Sequence, residues 1–359
     1  MTSSLLRRHL LAVGLCVPLW SWSGAAQALE RRTLAFPRDL GSHPDFSIEW
    51  WYITGQLTSE AQTTFGFQLT FFRSRVVGTQ DMRSAFAAKQ LIFAHAAVTD
   101  VAGNQLHHDQ RMARAGFGLA QASEQDTAIT LGDWSLVREA QHYQARVAGD
   151  GFRFDLALRE TQPLLLQGDQ GLSRKGPQAS QASFYYSLPQ LQVSGTLALG
   201  ARTLQVQGSA WLDHEWSQAL MHPQAVGWDW IGMNLNDGSA LTAFQLRDQK
   251  GGALWDGGSF RSPAMGATPQ VFERHAVVFK PLRHWTSPLT QARYPVEWTL
   301  RVHGEVYTVK ALIDNQELDS RTSTGAVYWE GLSALLDSRG RQVGQGYLEM
   351  TGYASPLRL

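Results

Sequence analysis

Glu49-Trp50-Trp51-Tyr52-Ile53-Thr54-Gly55-Gln56-Leu57, closed by Phe67-Gln68-Leu69, is written a second time as Trp228-Asp229-Trp230-Ile231-Gly232-Met233-Asn234-Leu235, closed by Phe244-Gln245-Leu246. Trp50 aligns with Trp228, Ile53 with Ile231, Leu57 with Leu235 and, across a one-residue gap, Gln68 with Gln245. Later blocks keep their order. Asp133-Trp134-Ser135-Leu136 is echoed by Glu297-Trp298-Thr299-Leu300, Tyr185-Tyr186-Ser187 by Tyr328-Trp329-Glu330, and Trp211-Leu212-Asp213 by Tyr347-Leu348-Glu349. Blocks that recur in one order mark an internal duplication, so the two halves are expected to share a fold.

The pattern within each half is β. Phe65-Gly66-Phe67-Gln68-Leu69-Thr70-Phe71 and Phe152-Arg153-Phe154-Asp155-Leu156-Ala157-Leu158 alternate with period two or nearly so. Asn236-Asp237-Gly238-Ser239 separates two such runs and reads as a hairpin turn, because Asn, Asp and Gly tolerate positive φ. Helical candidates are confined to Asp81–Gln90 and Arg111–Ala122. Each half has room for about eight strands, which fits two antiparallel barrels or a barrel with a sandwich. The expected division is an export segment over 1–28, a first domain over 29–218 and a second over 224–359, with Met221-His222-Pro223 in the connection.

Arg7-Arg8-His9, the apolar stretch Leu10–Trp20 and Ala26-Gln27-Ala28 form the three parts of an export signal, with cleavage expected after Ala28. Its apolar stretch is short for a bilayer span, so no membrane segment is expected to remain. Both the general and the twin-arginine routes fit Arg7-Arg8. A periplasmic or secreted location follows. The one cysteine, Cys16, lies in this segment, which leaves no disulfide and no thiolate metal site in the mature chain. The 31 basic and 31 acidic residues balance and are scattered, so no nucleic-acid footprint is expected. Charged residues at 17% and aromatics at 11% indicate a folded chain with much apolar surface to cover.

The copies differ at Asp213-His214-Glu215-Trp216, where the second has Glu349-Met350-Thr351-Gly352. On a strand, Asp213 and Glu215 share one face about 6–7 Å apart and His214 and Trp216 share the other. Two close acids walled by aromatics raise each other's pKa, which keeps a carboxyl protonated near neutral pH; solvated rim residues would show the same spacing. Trp50 and Trp228, kept in both copies, read as core. Trp51 and Asp229 differ at one position, so one of them is expected to face a ligand. Tyr52 and Trp230 lie on the same strands, and Gln245, Arg73 and Arg247 on their neighbours. His95 sits in an apolar strand, either a satisfied core residue or a pocket group. His214-Glu215-Trp216-Ser217-Gln218 approaches the zinc-protease pattern but has Gln218 where the second histidine belongs, so the metal face is incomplete; His214 with Asp213, Glu215 and His222 is the one alternative metal set, and neither metal nor cofactor is expected. No nucleophile elbow, phosphate loop or dinucleotide fingerprint occurs.

Phe36-Pro37-Arg38-Asp39, His43-Pro44-Asp45-Phe46, Glu49-Trp50-Trp51-Tyr52, Trp211–Trp216, Gly227-Trp228-Asp229-Trp230 and Tyr328-Trp329-Glu330-Gly331 together resemble the AttH-like and carotenoid 1,2-hydratase-like proteins. The resemblance covers nearly all of the mature chain. It implies two tandem lipocalin-like domains and a hydrophobic ligand of isoprenoid, lipid or polyketide type. It also implies acid-catalysed hydration or cyclisation of a double bond, with Asp213 as the acid, Glu215 or His214 placing water, and Trp216, Trp228 or Trp230 facing the cation. Trp329 and Glu330 join the ligand-facing set through the matched stretch that contains them. The alternative is a carrier that binds without reacting, partnered by an ABC-type export permease, and the family label of hydrolase is a third reading that no nucleophile supports.

Overall fold

The computed structural model describes residues 28–357 except 220 and 265. The expected export signal, with Cys16, therefore lies outside the described residues up to its last position. Two antiparallel sheets account for nearly everything else, and both 3-10 helices, Arg38–Leu40 and Val77–Thr79, are single turns. Among the described residues there is no α-helix, and none long and apolar enough to cross a membrane.

The two sheets follow one path. In the first, Ile48–Ser59 is flanked on one side by Thr64–Arg75, Gln90–Asp100 and Gln105–Arg114. On its other side come Arg202–Ala219, Ala182–Leu199, Phe152–Arg159, His142–Ala148 and Trp134–Glu139, ending in two short strands. In the second, Gly227–Leu235 is flanked by Ala240–Arg247 and Ala253–Arg261 on one side. Gln342–Met350, Ala326–Leu336, Glu305–Ala311, Arg293–Val302 and Val277–Thr286 continue on the other. The ends of the second sheet pack together across Ala253–Arg261 and Val277–Thr286, and those of the first across Gln90–Asp100 and Ala128–Leu131, so each sheet curls around its own core. These are tandem lipocalin-like barrels. Tyr52 opposes Asp213 as Trp230 opposes Glu349, and Ser187 opposes Asp213 as Glu330 opposes Glu349. The strands thus superpose in the register that the duplicated sequence blocks predict.

Burial explains why the pattern alternates in some strands and not in others. Phe152–Arg159 has one face inside its barrel, with Phe152, Phe154, Leu156 and Leu158 buried, and the other in solvent. Ile48–Ser59, Ala240–Arg247 and Ala326–Leu336 are buried on both faces, because the outer faces of the two barrels meet there. Tyr52, Trp211, Trp230, Phe244, Leu332 and Tyr347 form that inter-barrel cluster. Gln190, at φ +57° in a bulge of the long strand Ala182–Leu199, clamps the junction: its backbone N–H reaches Asn234 Oδ1 at 2.9 Å and its side-chain amide the carbonyls of Leu235 and Ser239 at 3.0 Å.

The hairpin at Asn236–Ser239 forms as expected, with Gly238 at φ +87° and Leu235 N–H bonded to the Ser239 carbonyl at 2.9 Å. The helices expected at 81–90 and 111–122 do not form. Ile92 pairs with Ala113 and Phe93 with Met112, so the segment that was expected to begin a helix completes a sheet edge instead, local propensity giving way to cross-strand pairing. Close strand crossing also sets a glycine. A Cβ on Gly208 would lie 1.9 Å from the Gln56 carbonyl oxygen, so Gly208→Ala is expected to destabilise by roughly 1–3 kcal/mol. Thermal unfolding reads this directly, and a Tm equal to wild type would show that the strand shifts without cost.

Candidate active site between the barrels

A cavity of about 340 Å³ lies where the outer faces of the barrels meet. Strand alternation decides what it receives. Arg202–Ala219 offers Asp213 and Glu215, Ile48–Ser59 offers Trp50 and Tyr52, and Ala182–Leu199 offers Tyr185; the second barrel answers with Trp228, Trp230, Phe244, Tyr328, Glu330 and Glu349. His95 and Phe72 close one side and Lys175 another.

Asp213 is 3% exposed. Its Oδ1 accepts hydrogen bonds from Ser187 Oγ at 2.5 Å and Trp211 Nε1 at 2.7 Å, and its Oδ2 from the Tyr185 hydroxyl at 2.8 Å. Trp230 Nε1, from the other barrel, donates to that hydroxyl at 3.2 Å. Burial pushes Asp213 up to about 7 against these three donors, which favour the carboxylate. Glu215 is bonded by Ser183 and ion-paired with Lys175 at 3.1 Å; the Lys175 ammonium lies 4.1 Å from the Phe244 ring centroid. Burial pushes Glu349 up to about 8, with the like charges of Asp213 and Glu215 adding to the rise. Burial, with the charge of Glu349 opposite, raises Glu330 well above the ordinary carboxyl range.

His95 is a positioning group within this set. Burial holds it at about 3, so the ring is neutral. Ser323 donates to Gln110 Oε1 at 2.5 Å and so accepts from His95 Nε2–H at 2.8 Å, leaving His95 Nδ1 to accept the Tyr328 hydroxyl at 2.7 Å. A residue of the first barrel thereby fixes a tyrosine of the second.

Other expected site residues point elsewhere. His214 and Trp216 occupy the opposite face of their strand, inside the first barrel, where Trp51 stacks on His214 at 4.5 Å and Trp216 on His43 at 3.8 Å. His214 donates Nε2–H to Glu49 Oε1 at 2.9 Å and accepts the Tyr186 hydroxyl at Nδ1; burial keeps it neutral, at about 4, despite Glu49. Glu49 also binds His43 Nδ1 at 2.7 Å and Arg73 Nε at 2.7 Å. Burial would raise Glu49, but its bonds from His214 and His43 and the charge of Arg73 hold it well below the carboxylate range. Inside the second barrel Asp229, at the position of Trp51, is held by Arg247 at 2.8 Å, Gln245 at 2.7 Å and Tyr353 at 2.9 Å. Trp329 is a core residue bonded to the Asp314 carbonyl. Thus neither Trp51 nor Asp229 reaches the cavity, nor do Gln245, His214, Trp216 or Trp329, whereas Trp50 and Trp228, read as core, line it. Both barrels present the same outer face to each other, so a residue repeated in the two copies meets its counterpart at the cavity.

Among the described residues His43, Glu49 and His214 bring three ligand atoms within 4.8 Å of one another. All three groups are already hydrogen-bonded in the network just described, and Arg73 occupies the open side of Glu49. A buried ion-pair network accounts for the cluster without a cation.

Two barrels enclosing a buried aromatic cleft define a tandem lipocalin-like protein. Residues 27–353 match the AttH-like family, and the chain belongs to it. A Nitrosomonas europaea structure assigned as an AttH is 44% identical, with a TM-score of 0.84 over 92% of this chain and 100% of that one. Kievitone hydratase from Nectria haematococca shares the fold at 14% identity, with a TM-score of 0.70 over 90% of this chain and 94% of that one. No curated protein matches the sequence.

Proposed function

We propose that the protein adds water across an isolated double bond of a hydrophobic small molecule held between the barrels. The observation that carries this reading is Asp213, a carboxyl held at about 7 at the wall of an aromatic cavity. The Asp213 O–H gives its proton to one alkene carbon and the other carbon becomes cationic. The faces of Trp228, Trp230 and Tyr185 stabilise that charge. A water oxygen bonds to the cation and its surplus proton returns to the Asp213 carboxylate, so one water is consumed and the acid is restored. If an internal double bond attacks in place of the water, a C–C bond forms and the new cation loses a proton from its adjacent carbon to the Asp213 carboxylate, which gives a cyclised alkene and restores the acid. The hydratase named among the fold relatives supports the reaction class by analogy. The export signal expected over residues 1–28 supports a periplasmic or secreted setting for this chemistry.

The competing reading is a carrier, with an ABC-type permease as partner; the three hydrogen bonds that satisfy Asp213 favour it, since a purely structural acid needs the same satisfaction. Incubation of the purified protein with isoprenoids bearing isolated double bonds, in isotopically labelled water, separates the two. Label incorporated into one product by wild type and not by Asp213→Asn is the expected result. Stoichiometric binding without any product would establish the carrier.

A further inference from the structure

The cavity wall holds two polar atoms that face each other from the two barrels without forming a hydrogen bond. The Tyr52 hydroxyl and Glu330 Oε1 are buried without a hydrogen-bond partner, and their residues are 5% and 3% exposed. Both residues line the cavity, Tyr52 from the first barrel and Glu330 from the second. Tyr52 is fixed by its edge-to-face contact with Trp230, ring centroids 5.4 Å apart, and Glu330 by its place opposite Glu349 in the strand pair. Neither can turn to solvent. A donor and an acceptor left open in one apolar cleft cost free energy unless something supplies the complementary pair. The other buried acids do not share this state: Asp213 has three donors and Glu215 has Lys175 and Ser183.

We propose that Tyr52 and Glu330 anchor a hydroxyl group of the ligand, which accepts the Tyr52 O–H and donates to Glu330 Oε1. This rests on the reading of the cavity as the ligand site and names the ligand's class: an isoprenoid alcohol or phenol rather than a hydrocarbon. Glu330, raised and so protonated, carries its proton on Oε2 and presents Oε1 as an acceptor, so a hydroxyl fits both open positions at once, whereas a carbonyl or an ether can only accept and leaves Oε1 open. The anchor also orients the ligand, since the apolar remainder must then run along Trp228, Trp230 and Phe244 beside Asp213.

The test is equilibrium binding, read by tryptophan fluorescence, of farnesol, its methyl ether and the hydrocarbon farnesene. Wild type is expected to bind farnesol at least about tenfold more tightly than either analogue, because a site built for a hydroxyl rejects ligands that leave its polar groups unpaired. Tyr52→Phe and Glu330→Leu should each shrink that preference, and the double variant should abolish it. Each substitution removes an unpartnered polar atom, so folding is expected to be retained, with Tm as the control. Equal affinities in wild type, as when water occupies both positions, would overturn the proposal, as would binding by none of the three or a preference that survives in the double variant. Preference for farnesol with no water added to it would uphold the anchor and remove the hydratase reading.

Discussion

Asp213→Asn is expected to lower turnover about 10²–10⁴-fold while leaving ligand affinity near wild type. The substitution keeps the shape of the side chain and an oxygen that can still accept from Ser187 and Trp211. It removes the acid proton and turns the acceptor that faces the Tyr185 hydroxyl into an amide donor, which that hydroxyl can accept by turning. The pH profile supplies an independent check: the acid form is the competent one, so wild-type turnover should fall as pH rises through about 7. Stability should move the opposite way. The folded state holds the Asp213 proton up to about 7, whereas the unfolded chain releases it near 3.8, so the unfolded state binds fewer protons between those values and wild type loses stability as pH rises through that window. Asn carries no such penalty. The difference in Tm between variant and wild type should therefore grow in the variant's favour from about pH 4 to 7 and level off above. Full turnover in Asp213→Asn would exclude it as the proton donor, and a Tm difference independent of pH would show that it does not hold its proton.

Such a pattern is the usual mark of a group kept in a site at the expense of the fold. Glu330 and Glu349 share it, both raised by burial, and both belong to the second barrel. The acidic character of the cleft is therefore distributed over the two halves of the duplication.

The duplication made the fold legible. Blocks such as Trp211-Leu212-Asp213 and Tyr347-Leu348-Glu349 occupy matching strands because both copies need the same register. The acid pair was legible as well, since period two puts Asp213 and Glu215 on one face, and both line the cavity. What misled was the use made of the difference between copies. His214 and Trp216, unique to the first copy, pack in that barrel's interior against Glu49 and His43, which the second lacks, and do not line the cavity. The cavity is built instead from what both copies retain: Trp50 with Trp228, Tyr185 with Tyr328, Asp213 with Glu349. Glu349 could have been found by following the surviving acid rather than the missing ones. Lys175, in Ser173-Arg174-Lys175-Gly176, carried no such signal, because its place is set by how a loop returns between the barrels. That the site would lie between barrels also required the structure, since an apolar outer face and an apolar interior face look alike along a strand buried on both sides.

Glu49→Gln is expected to cost about 3–5 kcal/mol of stability, a fall of roughly 10 °C in Tm, because Glu49's carboxylate is the counter-charge of Arg73. Glu49 is 1% exposed and Arg73 is 2% exposed. Neutralising Glu49 leaves a guanidinium in the barrel interior without its counter-charge, and places an amide donor among the donors of Arg73, His43 and His214. The pH dependence has a definite sign. Glu49 is held well below its ordinary 4.5, so its contribution is fully present above that value and lost as pH falls below it. His214 acts in the same direction: neutral in the fold down to about 4 but protonated near 6.5 when unfolded, it draws the chain toward unfolding as pH falls through that interval. Wild type should therefore lose this stabilisation in acid, and Glu49→Gln should lose less of it, the two curves converging as pH falls. Added salt should leave the gap at neutral pH largely intact, because a buried pair is little screened. A loss below about 1 kcal/mol would mean that water reaches Arg73. A full loss with unchanged product formation at low temperature would place this network in support of the barrel alone, and leave the chemistry to the face on which Asp213 lies.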